Sequence, residues 1–313
     1  MRFAIYGVGG VGGYFGARLA EAGHDVVFIA RGAHLQAMRD SGLRVDSLGG
    51  DMVVDPVNAT DDPADIGTVD AVVLAVKTWQ VAECAESIKP MLGPDSLVVP
   101  LQNGIDAPDV LAGVLGAEHV LGGACGISAF IEAPGHIRHV AMPAPYIQFG
   151  ALSGSNLNSI EPLRVGFEAC EAMVVEVSED IQATMWQKFL GVAPIGAVGA
   201  ITRAPMGVML ADPQTNALLE ATKAEIWAVG RALGVNWAPD AIAQVSAVHA
   251  SVPFATTASM ARDIVEGRPS ELDGQVGAIV RLGAELGVET PVNQFVLDCL
   301  MPQERRARGE IEF

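Results

Sequence analysis

Residues Gly7–Gly16 read GVGGVGGYFG, six glycines in ten positions, set between the apolar run Phe3–Tyr6 and the helix-forming stretch Tyr14–Ala22, YFGARLAEA. Gly7, Gly9 and Gly12 stand in G-x-G-x-x-G register. A buried strand that feeds a glycine turn and then a helix presents bare backbone N–H groups, at the positive end of the helix dipole, to a pyrophosphate. In such turns the first glycine permits the tight bend, the second lets the pyrophosphate approach, and the third lets helix and strand pack closely. Gly7, Gly9, Gly10, Val11 and Gly12 are therefore candidate residues of a dinucleotide site. A secretory signal competes for any apolar stretch behind an N-terminal Arg2, but six glycines would break the helix that a signal core forms.

The next apolar run, Asp25–Ala30, ends at Arg31, about twenty residues past the glycine turn, where a dinucleotide places its adenosine ribose. NAD sites carry Asp or Glu there, whereas an arginine pairs with a 2′-phosphate, so Arg31 favours NADP(H). Lys77 closes the strand-like run Ala71–Val76 and is a second candidate phosphate contact, because strand ends of a doubly wound sheet converge on the cofactor. Solvated surface charges are the alternative for both cations. Phe3–Tyr6, Val26–Ala30, Ala71–Val76 and Leu97–Leu101 alternate with helical segments, which predicts an α/β Rossmann-type dinucleotide-binding domain. Short β-like runs at His136–His139 and Tyr146–Phe149, broken by Pro134, Pro143 and Pro145, predict an antiparallel edge. From Ile181 onward the pattern turns helical, with stretches at Gln214–Leu233, Pro239–Ser251 and Leu272–Leu286. The expected organisation is a Rossmann domain over residues 1–179 and an all-helical domain over residues 180–313.

The 313 residues suffice for two cores, and the net charge of −18 argues against a nucleic-acid partner or an anionic membrane surface. The uncharged stretch Phe189–Ile201, interrupted by Pro194, is too short to span a bilayer. Cys84, Cys125, Cys170 and Cys299 lie far apart, with no metal-ligand spacing, and read as reduced thiols of a cytoplasmic protein without a metal. An apolar helical domain buries its surface within the chain or against a twin, so a homodimer is compatible with the sequence.

Six blocks carry a family resemblance in order and spacing: the N-terminal GVGGVGGYFGARLAEAGHDVVFIAR, LAVKTWQ (Leu74–Gln80), LQNG (Leu101–Gly104), MWQKF (Met185–Phe189), SMARDIVEGRPSELD (Ser259–Asp273) and TPVN (Thr290–Asn293). Together they resemble ketopantoate reductase over nearly the whole chain. The resemblance implies NADPH-dependent reduction of 2-dehydropantoate to pantoate, a step toward pantothenate and coenzyme A, with a Rossmann domain followed by a helical one. The 6-phosphogluconate and 3-hydroxyacid dehydrogenases share that plan, but LQNG and SELD argue against them.

Hydride transfer to a ketone leaves an alkoxide, so the site needs a proton donor near the carbonyl oxygen and away from bulk water. Lys188 opens the apolar run FLGVAPIGAVGAI, and low-dielectric surroundings make an ammonium a better acid. By resemblance it matches the family's catalytic lysine; the alternative is a lysine snorkelling from a helix end. Glu271, in GRPSELDGQVG, falls in the first turn of a helix that Pro269 or Ser270 could begin, where a carboxylate ordinarily serves as helix support. The resemblance assigns it instead to the substrate hydroxyl and to the lysine's geometry. Asn103 follows the strand Leu97–Leu101 and is placed by the strand-end rule near the nicotinamide ribose, with a turn asparagine as the alternative. Resemblance gives it cofactor and substrate contact. Ser259 matches a serine that binds the substrate carboxylate, with helix N-capping as the alternative.

The chain departs from the family where asparagines are expected, carrying Val192, Gly196, Met206 and Thr256. Losing buried hydrogen-bond partners redirects recognition more readily than it changes the reaction. A reductase of another, more apolar oxoacid or ketone is therefore an alternative, and a non-catalytic NADPH sensor a lesser one.

Overall fold

The structure, a computed structural model, describes residues 1–313 except Met142 and Pro143, so the expected break at Pro143 lies outside the described residues. Two compact units divide the chain: Met1–Gln102 with Ala107–Ile181, and Asn103–Asp106 with Gln182–Phe313.

In the first unit the order is β1 (Arg2–Tyr6), α1 (Gly10–Glu21), β2 (Asp25–Ile29), α2 (Gly32–Ser41), β3 (Leu43–Asp46), β4 (Met52–Val54), β5 (Asn58–Thr60), β6 (Val69–Leu74), α3 (Val81–Ile88), β7 (Leu92–Pro100), α4 (Ala107–Leu115), β8 (Leu121–Ala133), β9 (His136–Ala151), α5 (Ile160–Glu168) and β10 (Val174–Val177). A five-stranded sheet runs β5-β2-β1-β6-β7, every neighbour parallel. Numbered by its own strands that order is 3-2-1-4-5, the doubly wound arrangement whose chain reversal lies beside β1.

Alternation along these strands builds two cores. Phe3 and Ile5 join Phe28, Val73 and Val99 on one face, where Tyr14, Phe15 and Leu19 of α1 also pack. Ala4 and Tyr6 join Val27, Ile29, Val72, Leu74 and Val98 on the other, beneath Val81 and Ile88 of α3 and Leu111 of α4. A parallel sheet covered on both faces needs apolar residues at successive positions, which is why these strands read as unbroken apolar runs.

The antiparallel edge expected near residues 136–149 is a full second sheet, β10-β9-β3-β4 with β8 paired to β9. β9 continues as one strand because the register against β8 jumps: Tyr146 opposes Gly126, but Ala141 opposes Ser128. Pro145 falls inside that jump, where no ladder N–H is required of it. Ile137, Ile147 and Phe149 carry this sheet into the core that contains Phe3 and Phe28.

The second unit contains α6 (Ile181–Thr202), α7 (Met206–Ala211), α8 (Pro213–Ala232), α9 (Ala241–Ser251), α10 (Ser259–Val265), α11 (Ala278–Leu286) and α12 (Pro291–Ala307). A π-helical turn, Asp273–Gly277, leads directly into α11. α6 is buried nearly all round, with Trp186, Phe189, Leu190 and Ala193 in one apolar cluster, Ala197 and Ala200 in a second and Val198 in a third. No helix among the described residues is long and apolar enough to cross a membrane. Asn103–Asp106, expected within the Rossmann domain, groups with the helices because Ile105 packs on the cluster around Trp186 and Leu190.

Arg18 ties α1 to the turn between β3 and β4. Its buried guanidinium donates to Gly49 O at 3.0 Å and Gly50 O at 3.1 Å, and it pairs with Glu21 at 2.8 Å. Arg18→Met leaves two carbonyls unpaired and should cost about 2–3 kcal/mol, read as a lower denaturant midpoint with an unchanged slope.

Candidate functional site

The parallel strands of the first unit end on one edge, which therefore carries Gly7 after β1, Arg31 after β2, Lys77 after β6 and Gln102 after β7. Gly7 has φ +94°, and a Cβ there would lie 2.8 Å from Val76 Cγ1 and 3.0 Å from the Ala75 carbonyl carbon. A Cβ on Gly12 would lie 2.1 Å from Gly7 O, so helix and turn meet backbone to backbone. On Gly10 it would lie 2.2 Å from Ala129 O, where β8 crosses the start of α1. Gly9 differs: a Cβ there meets nothing within 4 Å, and Gly9 caps α1 without a side-chain bond. Gly9 thus offers no side chain to the first-turn N–H groups of α1, that of Val11 among them, and leaves open space beside the cap. These demands fit a dinucleotide pyrophosphate: bend at Gly7, approach at Gly9, packing at Gly12.

Arg31 begins α2 from the cap position, with its side chain 62% exposed and Nη2 3.9 Å from Glu83 Oε1. Lys77 caps the short turn after β6 through its backbone N–H to Gln80 Oε1 at 3.3 Å, and its ammonium lies 6.0 Å from the Trp79 ring centroid. Gln102 holds this edge together: its buried amide donates to Leu74 O at 2.9 Å and Val76 O at 3.1 Å. Elsewhere in the unit, Asp46, Glu132 and His136 bring ligand atoms within 4.8 Å. Arg44 and Arg138, at 2.7 Å from Asp46 and Glu132, already neutralise those carboxylates, and Arg44 holds Asp46 below its ordinary carboxyl range.

In the second unit Lys188 lies on α6 with Nζ buried and without a hydrogen-bond partner. Six residues later Pro194 removes an N–H from the helix ladder, and His249 of α9 donates Nε2–H to Gly191 O at 2.7 Å. Burial pushes His249 below its ordinary range, so the ring is neutral. Ser259 is the first residue of α10, but Ala258 occupies the cap, so the serine hydroxyl is not spent on capping as one alternative held. Asn103 sits half-buried in the turn preceding α4.

Glu271 is buried, and it lies just ahead of the helix rather than in its first turn as expected. Ser270 is the reason. Its Oγ accepts from Leu272 N–H at 3.2 Å and donates to Glu304 at 2.5 Å, and Glu304 also takes the Ser270 N–H and the Arg308 guanidinium. Glu271 and Lys188 are not hydrogen-bonded; instead Gln275 Nε2 donates to Glu271 Oε2 at 3.5 Å. Gln275 Oε1 and Met260 flank Gly196, where a Cβ would lie 3.6 Å and 2.8 Å from them. The neighbours of Ser259 and Glu271 therefore meet on α6 two turns beyond Lys188. Gln102 and Gln275 were not singled out from the sequence, although Gln102 stands inside LQNG and Gln275 lies four residues past Glu271, an amide in an apolar run.

Family models agree with this arrangement: one described as ketopantoate reductase PanE/ApbA matches residues 3–154, and its C-terminal counterpart matches residues 180–304. The chain belongs to the ketopantoate reductase family. A 2-dehydropantoate 2-reductase of Mesorhizobium japonicum is 30% identical, covering 95% of this chain and 96% of its own. A crystal structure of a PanE/ApbA family ketopantoate reductase from Ralstonia eutropha is 31% identical with TM-score 0.88, covering 98% of this chain and all of the other. D-mandelate dehydrogenase with NADH and anilino(oxo)acetate shares the fold at TM-score 0.89, with 21% identity and coverage of 98% and 99%. Ketopantoate reductases are oxidoreductases that act on small molecules with a nicotinamide cofactor, and this chain is an oxidoreductase.

His249 and His34 are both held below the ordinary histidine range by burial. As pH falls through about 6.5, the unfolded chain takes up protons that these native rings resist, so stability declines with acidity. Replacement of His249 by Gln should flatten that slope in denaturant melts between neutral and mildly acidic pH.

Proposed function

We propose that this oxidoreductase reduces a 2-oxoacid with NADPH in the cytoplasm, nominally 2-dehydropantoate to pantoate on the way to pantothenate and coenzyme A. The observation that carries this reading is the buried ammonium of Lys188, a cationic donor with no hydrogen-bond partner among the described residues. Such a group is costly unless something in the reaction uses it. A bound NADPH would supply hydride to the carbonyl carbon; Lys188 would give its proton to the carbonyl oxygen, leaving a neutral amine that solvent reprotonates. Glu271 and Ser259 hold the substrate hydroxyl and carboxylate, and Asn103 holds the nicotinamide end. The first-turn N–H groups after Gly9 would hold the pyrophosphate, and Arg31 with Lys77 would hold the 2′-phosphate.

A second reading, a bulkier or more apolar oxoacid, is favoured by Met206 and Thr256. Met206 is fully buried, its N–H bonded to Thr256 O at 2.8 Å, so apolar surface occupies a position the family fills with an amide. A panel of 2-oxoacids decides between them.

Lys188→Ala should lower kcat for NADPH oxidation by about 10²–10⁴-fold with any accepted oxoacid, while NADPH binding persists. Arg31→Asp should raise the KM for NADPH roughly tenfold or more and leave that for NADH nearly unchanged; equal losses would exclude Arg31 as the phosphate reader.

A further inference from the structure

The second unit holds a cavity of about 130 Å³ where α6, α7 and α10 meet, and none of Lys188, Asn103, Ser259 or Glu271 lines it. Its cause is local to α6. Ala197 and Ala200 of that helix serve the apolar cluster of Met260, and Val198 serves the cluster of Met209, while Gly199 faces the gap between the two. A Cβ on Gly199 would stand 3.5 Å from Ala261 Cβ and 3.7 Å from Met209 Cε, which is ordinary contact. Alanine would therefore fit, favour the helix and fill part of the void, yet glycine stands there. The mouth of the cavity is cationic, with Arg203 and Arg262 exposed beside it. Arg203 follows the last residue of α6 with φ +55°, its N–H bonded to Gly199 O at 2.8 Å, a helix ending that glycine ordinarily supplies. A cation in the last turn would answer the helix dipole without that strain, so the dipole does not account for an arginine at this position. No hydrogen bond or ion pair holds its guanidinium among the described residues. Arg262 is held from one side: Nη1 donates to Thr257 O at 2.6 Å and Thr257 Oγ1 at 3.0 Å, which leaves Nε and Nη2 without a protein partner among the described residues.

We propose that this cavity is a ligand site of its own, which takes a small apolar monocarboxylate with its tail between Met209 and Ala261 and its head on Arg203 and Arg262. The size sets the tail. A void near 130 Å³ approaches the roughly 150 Å³ that accepts a benzene ring, so the tail is a ring or a branched chain of about four to six carbons. Ile195, Met209 and Ala261 give that tail apolar walls. The charge sets the head, because a guanidinium meets a carboxylate through two parallel N–H bonds. Glu266, paired with Arg268, shares the mouth, and its repulsion weighs twice as heavily on a phosphate dianion as on a monocarboxylate. Casual uptake of anions is opposed by the net charge of −18, so binding here depends on these two arginines. The site stands whether or not the chain reduces an oxoacid.

Titration calorimetry in a carboxylate-free buffer tests this, with benzoate and 3-methylbutanoate as probes and acetate and inorganic phosphate as controls. The proteins are the wild type, Arg203→Gly, Gly199→Leu and Lys188→Ala. Glycine suits the backbone at position 203, so the first variant should fold at least as well as the wild type. Leucine at position 199 sends its side chain into the cavity. The wild type should bind at least one probe with a Kd of about 0.1–1 mM, and acetate about tenfold more weakly or worse. Arg203→Gly and Gly199→Leu should each weaken the probe about tenfold or more, whereas Lys188→Ala should leave it within about twofold. Should Gly199→Leu fail to fold, Arg203→Gly decides by itself. Binding of neither probe by the wild type overturns the proposal. Binding that is intact in Arg203→Gly and lost in Lys188→Ala also overturns it, because the probe then sits at the lysine. Phosphate bound as tightly as the probes would overturn the assignment of a monocarboxylate.

Discussion

Backbone contact between α1 and the turn before it sets the geometry on which the first unit depends. Gly12 can ride against Gly7 O only because it lacks a Cβ, which would otherwise stand 2.1 Å from that oxygen. The contact fixes the depth at which α1 enters the sheet, and hence where its first-turn N–H groups point. Gly16 continues it, with a hypothetical Cβ 2.5 Å from Phe28 Cε1 and 2.8 Å from Ile5 Cγ1, so the same face of α1 presses on β1 and β2. Gly9 is the one member of the motif whose missing side chain leaves open space rather than a tight contact. Packing and ligand approach are thus divided between neighbouring glycines of one turn.

Buried polar groups of the second unit fall into two kinds. Glu225 accepts from Val292 N–H, Asn293 N–H and Asn293 Nδ2 at 2.6–2.9 Å, capping the start of α12, and Glu304 does the same for Ser270 while paired with Arg308. These carboxylates are satisfied and serve the fold. Lys188 Nζ on α6 and Gln275 Oε1, which faces Gly196 of α6 from the π-helical turn, are unsatisfied among apolar neighbours. A protein that satisfies Glu225 and Glu304 so completely has no general difficulty in pairing buried charge. Trp237 Nε1 and His249 Nδ1 of the same unit are also without a hydrogen-bond partner.

What the sequence made legible follows the reach of local rules. The strands of the parallel sheet were readable because burial on both faces forces continuous apolar runs, and the glycine turn because only glycine tolerates its contacts. The long β9 was not, since its prolines look like breakers until the register jump against β8 is known. Ser259 and Glu271 were correctly set near helix starts, but the cap fell to Ala258 and the start of the last-but-one helix to Ser270, decided by Glu304 thirty-four residues away. The grouping of Asn103 with the helices likewise depends on the long-range packing of Ile105. Gln275 was invisible for the same reason: an amide in an apolar run gains meaning only from the glycine of another helix that faces it.

Charge imposes a last constraint. A chain carrying −18 repels the phosphates of a dinucleotide and the carboxylate of an oxoacid at long range, although screening confines that field to about 8 Å at physiological salt. Attraction must therefore be local, as at the strand-end edge where the first-turn N–H groups of α1 and the side chain of Arg31 stand. Arg31 shares its charge with Glu83 across 3.9 Å, a loose and exposed pair worth no more than about 1 kcal/mol. Lys188 Nζ is buried and makes no hydrogen bond among the described residues. The acidic surface thus leaves recognition of a nicotinamide cofactor to short-range contacts, which discriminate between ligands by geometry rather than by charge alone.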